Sequence, residues 1–273
     1  EASEVVGAFF SGQRAPSLGL ASVDVTVPPN HVVGQLERAK RLPPDPRTEF
    51  AVVNPVVYRG DALFVAEVNR ELAKRPPGER KILLFVHGYN NTTSDAILRL
   101  TQFVEDSGYQ GVPVLFTWAS AAKAPRYVYD LNSALVARSK VGEMASVLAQ
   151  TNAKDIDIFA HSMGAFLTME GLVDAQQEGR LGTRKSIANI MLASPDIDID
   201  AIPEGTGTMF DNTTIIYFPE TGAGHHSPDT EAPMVVMTGK NSKLDIAGRY
   251  IRLPFHGTEG HKTLSNWYTT LLN

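Results

Sequence analysis

From Lys81 to Ala193 the chain repeats one pattern: a short apolar run, a loop, then a longer segment with apolar residues at helical spacing. The runs Lys81–Val86, Val112–Trp118, Asp155–Ala160 and Ile187–Ala193 have strand length. Lys81–Val86 is continuous in apolar residues from Ile82 on, as expected of a strand buried on both faces of a parallel sheet. Between these runs, Thr92 opens a helix to about Ser107, with Asp95 as its capping-box partner and Ile97, Leu100, Phe103 and Val104 on one face. Gly108 and Gly111 end it, and Ser133–Gln150 and Gly164–Gln177 read as the next two helices. Strands alternating with helices imply parallel pairing through right-handed crossovers. The expected class is therefore α/β, with a mostly parallel central sheet and helices on both faces.

The first eighty residues differ, being rich in proline and carrying short runs, Ser22–Val27 and Phe50–Val57, that read as strands. Asp61–Arg75 places Leu63, Phe64, Val68 and Leu72 at helical spacing and stops at Pro76-Pro77-Gly78. With 273 residues, 43% of them hydrophobic, the chain can bury one large core. It is read as a single domain, 1–273: strands and a helix in 1–80, the core in 81–200, a possible flap in 201–232, and further strands with a last helix in 233–273.

Composition removes several functional classes. A net charge of −5 and a pI near 5.8 argue against nucleic acid, whose phosphates call for clustered Lys and Arg. No run of about 18 apolar residues is present to span a membrane. The chain has no cysteine, so disulfides, thiolate chemistry and cysteine-bound zinc are all absent. It opens at Glu1 with no hydrophobic leader in view, which leaves the compartment open, with a periplasmic or secreted location favoured over the cytoplasm.

The segment from Ile156 to Ala165 concentrates the chemistry. A strand runs into Ala160-His161-Ser162-Met163-Gly164 and then into a helix. This is the shape of a nucleophile elbow, with alanine in the first glycine position. A serine on such a turn projects Oγ above the sheet, where a base can reach it. Ala160 and Gly164 are small because strand and helix pass close together there. The N–H groups of the new helix, Met163 first, point to where an oxyanion would form. The competing interpretation is a serine that merely caps the helix. His87-Gly88 ends an earlier buried strand, and the loop after that strand supplies the second oxyanion N–H in this arrangement, here assigned to Tyr89. His87 and His161 are both read as structural.

The general base is expected late in the chain, after the acid. His225, His226, His256 and His261 qualify by position. His261 lies in a glycine-flanked loop between the strand-like Arg249–Leu253 and a helical tail, Thr263–Leu272, and is the choice, with His256 second. His225-His226 with Asp229 reads as a solvated loop, because adjacent side chains seldom ligate one ion; no metal site is expected.

At the level of ordered motifs the chain resembles the α/β-hydrolases of the DUF900 family. The matching segments are Phe10–Arg14 (F-S-G-x-R), Val27–His31 (V-P-P-x-H), Phe50–Val53 (F-A-V-V), Phe85–Asn90 (F-V-H-G-Y-N), Val112–Ser120 (V-P-V-L-F-x-W-x-S), Ala160–Gly164 (A-H-S-M-G) and Ala193–Asp198 (A-x-P-D-I-D). The resemblance implies an α/β-hydrolase fold, a serine nucleophile and ester cleavage, and no particular substrate. The C-terminal third departs from the pattern: Asn241 stands where the family carries its acid, and Lys262-Thr263 follows His261 in place of a serine and an aromatic residue. An amide cannot stabilise an imidazolium as a carboxylate does. Asp196, at the end of the strand after the elbow unit, ranks first as a substitute acid, followed by Asp245 and Glu220.

Three functions are therefore carried forward. The first is a carboxylic-ester hydrolase using Ser162, His261 and Asp196 or Asp245, with Met163 and Tyr89 holding the oxyanion and no cofactor. The second is a lipase or polyester depolymerase with a flap from 201–232 over the site. The third, motivated by Asn241, is a binding protein on a hydrolase fold that has lost catalysis. The expected partner is a small-molecule or lipid ester, and the oligomeric state is open.

Overall fold

The computed structural model describes residues 10–179, 186–197, 213–217 and 235–238, with 246, 248, 249, 254 and 258–260. Strands β1 (Leu20–Thr26) and β2 (Ala51–Tyr58) pair as an antiparallel ribbon. Helix α1 (Asp61–Ala73) follows, then β3 (Ile82–Val86), α2 (Thr93–Ser107), β4 (Val112–Phe116), α3 (Tyr127–Leu148), β5 (Asp155–His161) and α4 (Met163–Gln177). Strands β6 (Ser186–Ala193), β7 (Thr213–Tyr217) and β8 (Val235–Thr238) come last among the described strands. The main sheet among the described residues runs β4-β3-β5-β6-β7-β8, parallel from β4 to β7 and antiparallel at β8.

Because successive strand side chains point to opposite faces, β3 divides its apolar run between two cores. Ile82, Leu84 and Val86 pack with Phe64, Val68 and Leu72 of α1, Met144 and Leu148 of α3, and Leu167 and Leu172 of α4. Leu83 and Phe85 pack the other way, with Leu100 of α2, Phe159 and Met191. Both faces are thus covered by helices, and every residue of β3 is buried. Each such side chain contributes roughly 1.5–3 kcal/mol on burial. The continuous apolar run is the direct consequence of this two-sided burial.

Helix α2 forms where its signals lie. The Thr92 hydroxyl accepts from the Asp95 N–H while the Asp95 carboxylate accepts from the Thr92 N–H, and Gly108 closes the helix at φ 64°.

Helix α3 departs from expectation, beginning at Tyr127 and not at Ser133. Its first two turns carry Asp130 and Ser133, both buried although polar. Polar residues on the buried side erase the apolar periodicity that locates a helix, and tertiary hydrogen bonds replace it. Ser133 Oγ donates to the Tyr129 carbonyl and accepts from Arg14 Nε at 2.9 Å. Strand β4 is also shorter than the run that announced it, leaving the ladder at Phe116. The stretch 201–232 is interrupted by β7, which pairs with β6 inside the sheet; the remainder of that stretch, Arg249–Leu253 except Arg249, and the tail Thr263–Leu272 lie outside the described residues.

Candidate active site

Strand β5 ends at His161 and α4 begins at Met163, leaving one residue to reverse the backbone. Ser162 does so at φ 52° and ψ −128°, a conformation that L-residues avoid and that persists only when the surroundings impose it. Three main-chain bonds impose it here. The Ser162 N–H donates to the Ala193 carbonyl of β6 at 3.0 Å, and the Ser162 carbonyl accepts from Ala165 N–H at 2.8 Å and Asp196 N–H at 3.3 Å. Ser162 occupies the N-cap position, yet its side chain makes no capping bond. The hydroxyl is therefore not consumed by the helix terminus.

The requirement for small residues around the turn comes from a different neighbour than expected. A Cβ on Gly164 would lie 2.4 Å from the Val86 carbonyl oxygen and 2.5 Å from that of His87. The crowding partner is the exit of β3, not the elbow's own strand. Gly88 also packs against the elbow: a Cβ there would lie 2.9 Å from Ser162 Cβ and 2.9 Å from His161 Nδ1. Two glycines thus let the loop after β3 lie against the elbow.

That loop is held by polar contacts throughout. His87 is buried, with its ring stacked on Trp118 at 5.1 Å between centroids. Its Nε2 accepts from the Trp118 N–H at 3.2 Å, so Nδ1 carries the proton and donates to the Gly88 carbonyl at 2.8 Å. Burial pulls its pKa down to about 4, so the ring is neutral near pH 7 and serves as a brace, as the sequence indicated. The Asn91 amide donates to the carbonyls of Gly88 and Tyr89, and the Tyr89 hydroxyl donates to the Ala124 carbonyl. Neither the Tyr89 N–H, in this loop, nor the Met163 N–H, the first of α4, donates to a described residue.

A strand–elbow–helix unit seated on the loop of the neighbouring parallel strand is the arrangement of α/β-hydrolases. Residues 62–219 match the family described as "Alpha/beta hydrolase of unknown function (DUF900)", more than half of the chain. The chain belongs to the DUF900 family of α/β-hydrolases. Among solved structures, this DUF900 hydrolase is similar to the RedJ thioesterase from the prodiginine biosynthetic pathway of Streptomyces coelicolor, at 16% identity and TM-score 0.30, over 45% of this chain and 40% of that one. It is similar to a brefeldin A esterase described as a bacterial homologue of human hormone-sensitive lipase, at 22% identity and TM-score 0.30, over 45% of this chain and 35% of that one. A bacterial heroin esterase matches at 20% identity and TM-score 0.26, over 43% of this chain and 36% of that one. The chain thus spans well under half the length of these structures. No curated protein matches the sequence.

Of the residues singled out from sequence, the DUF900 fold brings Ser162, Met163, Tyr89 and Asp196 to one end of the sheet. Asp196 follows β6, and its N–H reaches the Ser162 carbonyl at 3.3 Å. Its carboxylate Oδ2 accepts from the Tyr127 hydroxyl at 2.5 Å. Partial burial, reinforced by this bond to Asp196, pushes the Tyr127 pKa up to about 12. The Tyr127 ring also meets the Tyr89 ring edge-on at 5.4 Å, so it bridges the β3 loop and the β6 loop. His261, Asp245, Glu220, Asn241, His225, His226 and His256 lie outside the described residues. Among the described residues no cluster of His, Asp and Glu is arranged to hold a metal ion, and no helix is long and apolar enough to cross a membrane.

Sequence reasoning missed Tyr127, Asp130 and Thr117. The Thr117 hydroxyl contacts His87 Nε2 at 3.1 Å and Thr93 at 3.3 Å. Ser120 and Trp118 were visible as letters of a family motif, without a role. For Asp130 no local signal was available, since beside Asn132 and Ser133 it reads as one more polar residue.

Proposed function

We propose that this protein is a serine hydrolase of carboxylic esters, with Ser162 as nucleophile, His261 as general base and Asp196 as the acid that orients the base. The observation that carries the reading is the elbow itself. Ser162 is held at φ 52°, its side chain bonded to no described residue, next to the N–H groups of Met163 and Tyr89, which donate to no described residue either. Unsatisfied N–H groups cost free energy, and the first turn of the 15-residue α4 adds its positive dipole end at the same place. A nascent oxyanion would satisfy both groups.

In this scheme Ser162 Oγ attacks the ester carbonyl as its proton passes to His261. The tetrahedral oxyanion accepts from Met163 and Tyr89, and His261 returns the proton to the departing alcohol. Water then repeats the sequence on the acyl-enzyme. Asp196 supports its role with one carboxylate oxygen, since Oδ1 accepts no bond from a described residue. Asp245 is the alternative acid. No cofactor enters the scheme.

Hydrolysis of short p-nitrophenyl esters, with fluorophosphonate labelling in parallel, tests the reading. Ser162→Ala is expected to abolish both. Turnover or labelling at the wild-type level in that variant refutes the nucleophile, and a wild type that neither labels nor turns over refutes the hydrolase reading and leaves a catalytically silent hydrolase fold. Asp196→Asn and Asp245→Asn then assign the acid: the correct one lowers kcat by about 10⁴.

A further inference from the structure

Asp130 is a charged side chain with no role in the scheme above, and it is 0% exposed. No salt bridge from a described cation reaches it; its neighbours are hydrogen-bond donors from two loops. Its Oδ1 accepts from the Ala121 N–H at 2.6 Å. Its Oδ2 accepts from the Ser120 hydroxyl at 2.6 Å and from the Asn90 N–H at 3.2 Å. Ser120 extends the reach, its oxygen accepting from the Asn91 N–H at 3.3 Å and the Ala122 N–H at 3.2 Å. One carboxylate in the first turn of α3 thus gathers the loop after β3 and the loop after β4.

The geometry matters because of which peptide it holds. Asn90 sits at φ 56°, in the left-handed region, and its N–H belongs to the Tyr89–Asn90 peptide. With Asn90 N–H bound to Asp130, the Tyr89 carbonyl bound by Asn91 and the Gly88 carbonyl bound by His87 and Asn91, the loop has little rotational freedom. The Tyr89 N–H donates to no described residue and is aimed by the bonds around it. Burying a carboxylate without a cation is unfavourable unless several donors and a helix N-terminus compensate. A site that only needed two loops joined would not require a charge.

We propose that Asp130 is the positioning residue of the oxyanion loop, fixing the Tyr89 N–H through Asn90 and, through Ser120, fixing Asn91. The inference rests on the serine-hydrolase reading and deepens it. Asp130 touches no substrate; its effect passes through the loop it holds. Its loss should therefore weaken the transition state more than substrate binding.

The test compares wild type, Asp130→Asn and Ser120→Ala, measuring kcat and KM on p-nitrophenyl butyrate and amide hydrogen exchange across residues 87–91. Asparagine places an NH₂ against donors that need an acceptor. Asp130→Asn is expected to lower kcat by about 10–100-fold with KM within about twofold, and to raise exchange in the loop while α4 stays protected. Ser120→Ala keeps the carboxylate and its two N–H bonds, and is expected to lower kcat by about 3–10-fold with the same KM pattern; it covers the case in which Asp130→Asn does not fold. Ser162-dependent turnover in the wild type, with wild-type kcat or unchanged loop exchange in the variants, overturns the role of Asp130 alone. Parallel changes in kcat and KM overturn it as well, since they indicate general loosening. Absence of Ser162-dependent turnover in the wild type overturns the hydrolase reading and this inference together.

Discussion

Replacing Ser162 with glycine removes the Cβ from a residue held at φ 52° and ψ −128°, while replacing it with alanine removes only the hydroxyl. The two variants share every main-chain bond of the turn, because the contacts to Ala193, Ala165 and Asp196 use backbone atoms of residue 162. Neither loses a capping bond, since the serine side chain makes none. Their difference in stability therefore reads the strain at this position. A side chain in such a region costs about 1–3 kcal/mol, and glycine gives back about 0.5–1 kcal/mol through its larger unfolded-state entropy. Taking the middle of each range, Ser162→Gly should be more stable than Ser162→Ala by about 1 kcal/mol. For a domain of this size that corresponds to roughly 2–4 °C in Tm. Urea unfolding and scanning calorimetry of the two variants measure it. Equal stability, or a less stable glycine variant, would refute the claim that the elbow stores strain to present its hydroxyl.

Gly164→Ala places a methyl 2.4 Å and 2.5 Å from two backbone oxygens at the end of β3. Backbone there cannot swing aside as a side chain could, so the variant should lose about 1–3 kcal/mol by denaturation and most of its ester turnover. Gly78→Ala, with nothing within 4 Å, should stay within about 0.5 kcal/mol, and equal behaviour of the two would refute the close approach. The stability contributed by His31 should depend on pH. Its ring bonds Glu37 at 2.7 Å and Asp106 at 2.8 Å, with Phe50 edge-on, and so ties the segment after β1 to α2. Burial alone would lower its pKa, but the bonds and charges of Glu37 and Asp106 outweigh it and raise the value above 6.5. The folded state then holds this proton more tightly than the unfolded chain. The contribution is full below about pH 6.5 and disappears as pH rises through the raised folded value. Unfolding free energies of wild type and His31→Gln should differ more at pH 6 than at pH 9; a gap that is constant or grows with pH refutes this. His87 carries the opposite sign. Its pKa lies near 4, so its contribution is present above about pH 6.5 and falls away toward pH 4.

Much of the molecule was legible because its signals are local. The apolar run of β3, the Thr92–Asp95 capping box and the small residues around Ser162 each act within a few positions, so they can be read in order along the chain. The family motifs supplied further letters, and their physical content became clear only in contact. Arg14 lies over the Tyr129 ring at 4.5 Å and bonds α3, and His31 clamps α2. Helix α3 was misplaced by six residues for a related reason: Asp130 and Ser133 are buried as hydrogen-bonding groups, and hydrophobic periodicity cannot register them.

The sequence by itself determined that one serine would sit on a strand-to-helix turn, since a turn of that kind needs only the residues on either side of it. It also determined the alternation of strands and helices that makes the sheet parallel. Which backbone would crowd that turn was decided by the tertiary structure, through the register of β3 beside β5, which brings Val86 level with Ala160. The same packing decided that Asp196 would meet Tyr127 and that Asp130 would gather the two loops beside the serine. Those contacts join residues 9 to 69 positions apart in the chain. No local preference encodes them, and they exist only once the strands are ordered and the helices laid against them.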